Sequence, residues 1–152
     1  MYKILISHRG NINGRVPELE NTQDFIQKAI DVGYDVEVDV WIKEGNLYLG
    51  HDSPDYRVPY IWLMDRADNL WVHAKNFSAL DGMLRLGVRV FYHQYERHTV
   101  IGNTTHIWSH DLTEANISSI IPLLSIDDIN AYDDRDVHGI CSDFVSLLRD
   151  GK

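Results

Sequence analysis

The sequence predicts an α/β protein built on a small, pared-down (β/α)8 barrel. Two observations point to it. Short β-rich runs alternate with amphipathic helical runs up to His93, the pattern of parallel βα units. Histidines also recur where such runs end, at His8, His51, His73, His93 and His110. The carboxyl ends of the strands are where a parallel barrel gathers its active site.

Each element can be justified in order. Residues 3–7 are a β-rich run closed by His8-Arg9-Gly10. The Asn-, Gly- and Pro-rich segment that follows reads as a loop. Asn21 or Thr22 can cap a helix over 23–32, whose apolar stripe is Phe25, Ile26, Ala29 and Ile30 and whose stop is Gly33. Residues 35–41 alternate strictly and form the next strand. A turn at Glu44-Gly45-Asn46 returns the chain through 47–50, a hairpin. Residues 52–60 read as a loop and 61–64 as one or two helical turns. A strand over 70–75, a helix over 78–86 and a strand over 88–93 follow. Beyond His93 the alternation degrades. Two short strands, 98–101 and 106–109, are joined by Gly102-Asn103-Thr104-Thr105, too short for a crossover helix and suited to a hairpin. Runs at 118–124 and 139–144 complete the count, and the acidic stretch 127–136 reads as a solvated loop. A full barrel takes about 250 residues and rarely fewer than about 200. With 152 residues, several outer helices are expected to be missing from the C-terminal half. The whole of 1–152 reads as one barrel domain.

Composition narrows the function. A net charge of −9 argues against nucleic acid and anionic membranes as general partners. The single cysteine, Cys141, excludes an internal disulfide framework and suits a reducing compartment. The first residues are too short an apolar run for a signal peptide, and no run approaches the ~20 residues of a membrane span. A cytoplasmic protein without membrane insertion is expected.

The chemistry centres on residues 35–52, DVEVDVWIKEGNLYLGHD. Val36, Val38 and Val40 share one strand face; Asp35, Glu37, Asp39 and Trp41 share the other. Glu37 and Asp39, roughly 6.5–7 Å apart along the strand, can reach one common ion. A solvated edge strand with an acidic outer face would show the same alternation. The hairpin, however, carries His51 back toward the carboxylates, and Asp35 falls at the far end of the strand. His8-Arg9 end the first strand, and His73 and Lys75 share a face of the third. Two carboxylates with a third ligand make a cation site. Arg9 and Lys75 supply positive charge for an anionic oxygen. His8 and His51 can act as an acid/base pair. Together these suit phosphodiester cleavage.

The motif order resembles the glycerophosphodiester phosphodiesterases, barrel enzymes related in mechanism to phosphatidylinositol-specific phospholipase C. ISHRG, PELENT, GYDVEVDVW and LGHD reproduce the family's HRG, ENT, E-x-D and HD in order over residues 6–52. LWVHAK is similar to its third strand and GICSDF to its last, while 94–137 match poorly. The resemblance implies a hydrolase of a small glycerophosphodiester that works through a cyclic phosphate. It makes His8 and His51 the catalytic pair, Arg9 and Lys75 phosphate-binding residues, and Glu37 and Asp39 metal ligands, with Glu20 in support. One divalent ion (Mg, Mn or Ca) is implied. One position departs: the family carries a metal-binding glutamate two residues before the lysine, and here that residue is His73. An imidazole in the ligand set admits a transition ion. His93 is placed to assist. The alternative is an inactive barrel that binds a phosphorylated ligand or partner.

A barrel stripped of outer helices leaves apolar strand faces bare, so a homo-oligomer is expected. Light scattering should give a mass above that of the 17.6 kDa chain; a strict monomer at high concentration would contradict this.

Overall fold

The computed structural model describes residues 3–149. In chain order its elements are β1 (Ile4–His8), α1 (Gln23–Asp31), β2 (Asp35–Lys43), β3 (Asn46–Leu49), β4 (Tyr56–Val58), α2 (Tyr60–Met64), β5 (Leu70–Ala74), α3 (Phe77–Arg85), β6 (Val90–Phe91), β7 (His98–Val100), β8 (Ile107–Ser109), β9 (Ser119–Pro122), α4 (Ile126–Ala131), β10 (Gly139–Ser142) and α5 (Val145–Arg149). Strands β6, β5, β2, β1, β10, β9 and β8 lie side by side in that order, each pair parallel. The sheet curls. An antiparallel bridge between Val90 and Gly102 ties β6 to the segment just beyond β7, and β7 pairs antiparallel with β8.

Three apolar clusters show what the curl encloses. Ile6, Trp71, Phe91, Ile101, Trp108, Ile120 and Cys141 pack together. They come from β1, β5, β6, β8, β9, β10 and the segment after β7, so they fill the inside. The alternate residues of β2 and β5, among them Val36, Val38, Val40 and Val72, face outward and pack with Ile26, Ala29, Leu63, Ala79 and Met83. A third cluster, including Ile121, Ile129, Val137 and Ile140, lies under α4. Period-2 alternation thus divides each strand between an inner and an outer core.

Strand β2 has two jobs. Its first half is held between β1 and β5. Its second half leaves the barrel and pairs with β3, from Val40↔Leu49 to Lys43↔Asn46. The hairpin expected at residues 44–46 is this one. Thr22 caps α1, its hydroxyl accepting from the Phe25 N–H, and Asn76 caps α3 through the Ala79 N–H. The expected hairpin link at 102–105 joins β7 to β8.

The expected pared-down barrel is what forms, with outer helices missing in the C-terminal half: the β6–β8 link carries β7 instead of a helix, and the 110–118 link between β8 and β9 carries no helix. Two other expectations are corrected. The 127–136 stretch is not wholly loop. Ser125 and Asp128 form a reciprocal capping box that starts α4, and Ile129 docks it on the third cluster. Residues 56–58 form β4, held to β3 with Val58 buried. The chain after β10 turns into α5, too short for helical periodicity to show in sequence.

Where helices are missing, apolar side chains meet solvent: Val100 is 71% exposed and Ile117 56%. The inner cluster should be the stability centre. Ile120→Ala, at a fully buried inner position, should cost about 2–5 kcal/mol in urea unfolding; a loss below about 1 kcal/mol would mean the interior is not close-packed.

Candidate functional site

Strand register places the polar residues before any side-chain contact is considered. His8 pairs with Glu37 across β1 and β2, Asp39 pairs with His73 across β2 and β5, and His73 pairs with Phe91 across β5 and β6. His8 and His73 lie at or near the carboxyl ends of β1 and β5, and Glu37 and Asp39 lie beside them on β2, before its second half leaves the barrel. The turn after β1 is strained: Arg9 has φ 57° and Gly10 φ 94°. A Cβ at Gly10 would lie 2.6 Å from the Phe25 ring, so only glycine fits. Arg9 is pinned there by its N–H donating to the Glu37 carbonyl at 2.9 Å and its carbonyl accepting from Asn21 at 3.1 Å. Non-glycine residues held in this region are a marker of functional sites.

The side chains form one continuous polar chain. His8 Nδ1 lies 2.8 Å from Asp143 Oδ1, and His8 Nε2 3.7 Å from Glu37 Oε2. Arg9 Nη1 reaches Glu20 Oε2 at 3.2 Å and Arg9 Nε lies 3.1 Å from Asp39 Oδ2. His73 Nδ1 is 3.2 Å from Asp39 Oδ1 and 3.8 Å from Glu37 Oε1. Lys75 Nζ is 3.9 Å from Asp39 Oδ1. Asn21 grips Asp39 twice: its amide donates to Oδ2 at 2.9 Å, and its oxygen accepts the Asp39 N–H at 3.0 Å. Asn11 donates to Glu20 at 3.0 Å and to Asp143 at 2.7 Å.

Glu37, Asp39 and His73 each offer one ligand atom, all within 4.8 Å of one another. Glu37 is 2% exposed and Asp39 0%, yet Glu37 Oε2 and Asp39 Oδ1 have no hydrogen-bond partner. Buried carboxylate oxygens without a donor are expensive, and a divalent cation among them removes that cost. This donor set therefore fits a metal ion. Electrostatics agree. Burial, reinforced by the charge on Asp39, raises the Glu37 pKa. Burial also opposes ionisation of Asp39, but His73 and Arg9 outweigh it and hold that group at about 2. Burial would lower His8; the Asp143 bond and the Glu37 charge reverse this and raise it.

Of the residues expected from sequence, His8, Arg9, Glu20, Glu37, Asp39, His73 and Lys75 converge here. Asp35 lies at the other end of the barrel, bonded to Trp71 Nε1 at 2.8 Å. His51 stands at the rim. The Gly50 N–H donates to the Asp39 carbonyl at 3.2 Å, so the hairpin does return the chain to the carboxylates. The His51 imidazole, 41% exposed, is joined to Asp52 at 2.7 Å instead of to them. Gly50 makes this bend possible: with φ 151°, a Cβ there would sit 2.0 Å from the Ser53 carbonyl. His93 offers its backbone, its carbonyl accepting from His73 Nε2 at 3.3 Å, while its ring stacks on His110 at 4.1 Å.

Asn11, Asn21 and Asp143 were not anticipated. The signals were present: Asn21 is the middle residue of ENT, and Asp143 follows Ser142 where the family's last strand has its aspartate. Only the packed barrel brings residue 143 against residue 8.

Two other features lie apart. His98, Asp111 and Glu114 also come together, but they are largely exposed, and His98 pairs with Glu114 and Asp111 with Arg97. A cavity of about 700 Å³ opens toward Asp35, Asp68 and Arg89. Its cations are engaged: Lys3 with Asp134, Arg89 over Trp71, Arg149 over Tyr34. The Glu37–Asp39–His73 cluster is at the opposite end. Among the described residues no helix is long and apolar enough to cross a membrane.

No family model matches the chain, and no curated protein does. Among solved structures, its fold is similar to that of a glycerophosphodiester phosphodiesterase from Thermotoga maritima. The two are 16% identical, the match covers 99% of each chain, and the TM-score is 0.55. The likeness is one of fold, and it agrees with the family resemblance of the HRG, ENT, E-x-D and HD motifs.

Burial, then the charges of His93, His73 and His98, hold the His110 pKa down at about 4. The unfolded chain takes up this proton first as pH falls. Its contribution to stability is full above about pH 6.5 and is lost as pH falls toward 4. His110→Gln should therefore melt closer to, or above, the parent protein as pH is lowered from 7.5 to 5; a pH-independent gap in Tm would refute the assignment.

Proposed function

We propose that the chain is a metal-dependent phosphodiesterase that hydrolyses a small phosphodiester, a glycerophosphodiester being the reference case. One observation carries this reading. A buried carboxylate pair with one oxygen on each left without a hydrogen-bond partner, a histidine held by a carboxylate, and two cationic side chains meet at one end of the parallel strands. Few chemistries need all of these together; cleavage of an anionic diester does.

A divalent ion held by Glu37, Asp39 and His73 would supply Lewis acidity to a phosphoryl oxygen. The remaining work falls to the chain. Arg9, oriented by Glu20 and Asp39, and Lys75 bind the non-bridging oxygens. Asp143 accepts the Nδ1 proton of His8, leaving Nε2 as a base facing the site. His8 Nε2 removes the proton of a substrate hydroxyl next to the phosphate. That oxygen bonds to phosphorus as the bond to the leaving alkoxide breaks, and His51, held by Asp52, protonates the alkoxide. The cyclic phosphate is then opened by water. His51 takes the water proton as the water oxygen bonds to phosphorus, the ring P–O bond breaks, and His8 returns its proton to the freed alkoxide oxygen. The acidic net charge and the buried Cys141 support a cytoplasmic setting with no nucleic acid partner.

One observation favours the second reading, a barrel that binds a phosphorylated ligand without turnover. His51 is exposed and joined to Asp52, so its part depends on substrate drawing it inward.

His8→Ala and His51→Ala should each lower kcat by about 10²–10⁴-fold, the usual worth of a general acid or base. Phosphorus NMR of the turnover mixture should show a cyclic phosphate that is consumed. If the parent protein turns over no phosphodiester with Mg²⁺, Mn²⁺ or Ca²⁺ yet binds inorganic phosphate, the second reading replaces the first.

A further inference from the structure

The reading of Glu37, Asp39 and His73 as an ion site leaves open which ion they take, and the surroundings of His73 speak to that. A carbonyl can only accept, so the 3.3 Å contact between His73 Nε2 and the His93 carbonyl requires the ring proton on Nε2. In the neutral ring Nδ1 then carries the lone pair, and Nδ1 is the atom that faces Asp39 and Glu37, at 3.2 and 3.8 Å. Fixing one nitrogen through a hydrogen bond so that the other is free to ligate is how proteins prepare a metal-binding histidine.

The ring is also prevented from turning. It stacks on Phe91 with centroids 4.9 Å apart and planes within 8°. Phe91 in turn stacks on Trp108 at 4.3 Å and 15°. Phe91 is 2% exposed and Trp108 4%, so this three-ring column is anchored in the inner core. A flip that pointed Nδ1 away would forfeit the His93 bond. Asp39 Oδ1, 3.2 Å from Nδ1, is not aligned with it as a hydrogen-bond partner. Both atoms lie within 4.8 Å of the Glu37 ligand atom.

Resting on the metal-dependent reading above, we infer that this site is built for a transition ion, in which His73 Nδ1 is a direct ligand, and that it discriminates against Mg²⁺ and Ca²⁺. Mg²⁺ and Ca²⁺ take oxygen ligands and draw little from an imidazole. Mn²⁺, Co²⁺ and Zn²⁺ accept nitrogen, with affinity rising along that series to Co²⁺. Two carboxylates and one imidazole on three neighbouring strand positions leave the remaining coordination positions to substrate oxygen or water. The His93 carbonyl and the Phe91 ring position the ligand; they do not touch the ion.

The test uses the full chain with Glu114→Gln, which removes the exposed His98 cluster as a competing site. Calorimetric titration with Mg²⁺, Ca²⁺, Mn²⁺, Co²⁺ and Zn²⁺ should give one site, tighter for Co²⁺ and Zn²⁺ than for Mg²⁺ or Ca²⁺. Electron spin-echo spectroscopy of the Mn²⁺-loaded protein should show the ¹⁴N coupling of one bound imidazole. His73→Glu should abolish that coupling and shrink the Co²⁺ preference over Mg²⁺ by about 10–100-fold, at least the size of effect that residues behind a ligand have. His73→Gln tests the same coupling if the glutamate variant does not fold. Absent ¹⁴N coupling in the parent protein, or Mg²⁺ binding as tightly as Co²⁺, overturns the inference while leaving a metal-dependent enzyme intact. Failure to bind any divalent ion overturns both.

Discussion

Burying Glu37 and Asp39 side by side on β2 is the constraint around which the rest of the barrel mouth is arranged. Each carboxylate loses its water, at an effective cost of several kcal/mol per ion, and each raises the cost of ionising the other. Asp39 is compensated by what surrounds it: a bond donated by the Asn21 amide and the Arg9 guanidinium. Glu37 is not compensated to the same degree, and burial with the neighbouring charge pushes its pKa up. This asymmetry leaves the pair able to take a cation. It also accounts for the strained turn after β1. Arg9 can lie beside Asp39 because the chain accepts a left-handed residue at position 9, followed by a glycine that has no room for a Cβ.

A second arrangement supports the first from behind. Residues below the carboxylates on the inner strand faces are aromatic or aliphatic, and they fill the barrel as a packed core. The Trp108–Phe91–His73 column links that core to the polar layer. On the other side, Asn11 couples Asp143 to Glu20 and so joins His8 to Arg9 through buried hydrogen bonds. The site is therefore held by strand register and buried bonds, the rigid support that positioned chemistry requires. His51 is the exception. It rides on a hairpin that has left the barrel, and its position follows from the turn at Gly50 instead of from the core.

Much of this was legible in the sequence. Alternation at 35–41 separated the outward valines from the inward carboxylates, because a strand's side chains have a period of two. Helices read at 23–32 and 78–86, from a cap or a glycine stop and an apolar stripe, lie within a residue of α1 and α3. The four motifs between residues 6 and 52 named most of the site residues, since they span neighbouring elements. Legibility fell where elements are short. β4, α4 and α5 have three to six residues, too few for a period to rise above composition, and α4 opens on acidic residues that resemble a solvated loop. His106 and His138, which look like turn residues, stack on each other at 3.6 Å because β8 and β10, distant in sequence, start on either side of β9.

By itself the sequence determined which residue types the site would have and on which face of which strand they would fall, because alternation and turn chemistry are local. It also determined that a histidine stands two residues before Lys75, on the strand face that meets the carboxylates. Tertiary structure alone decided the rest. Pairing of β1 with β10 brought Asp143 to His8 across 135 positions, and pairing of β5 with β6 placed His73 under the His93 carbonyl and against Phe91. Which nitrogen of His73 faces the carboxylates is a property of neither residue nor motif. It is set by a hydrogen bond and a ring stack that exist only once the strands lie in register.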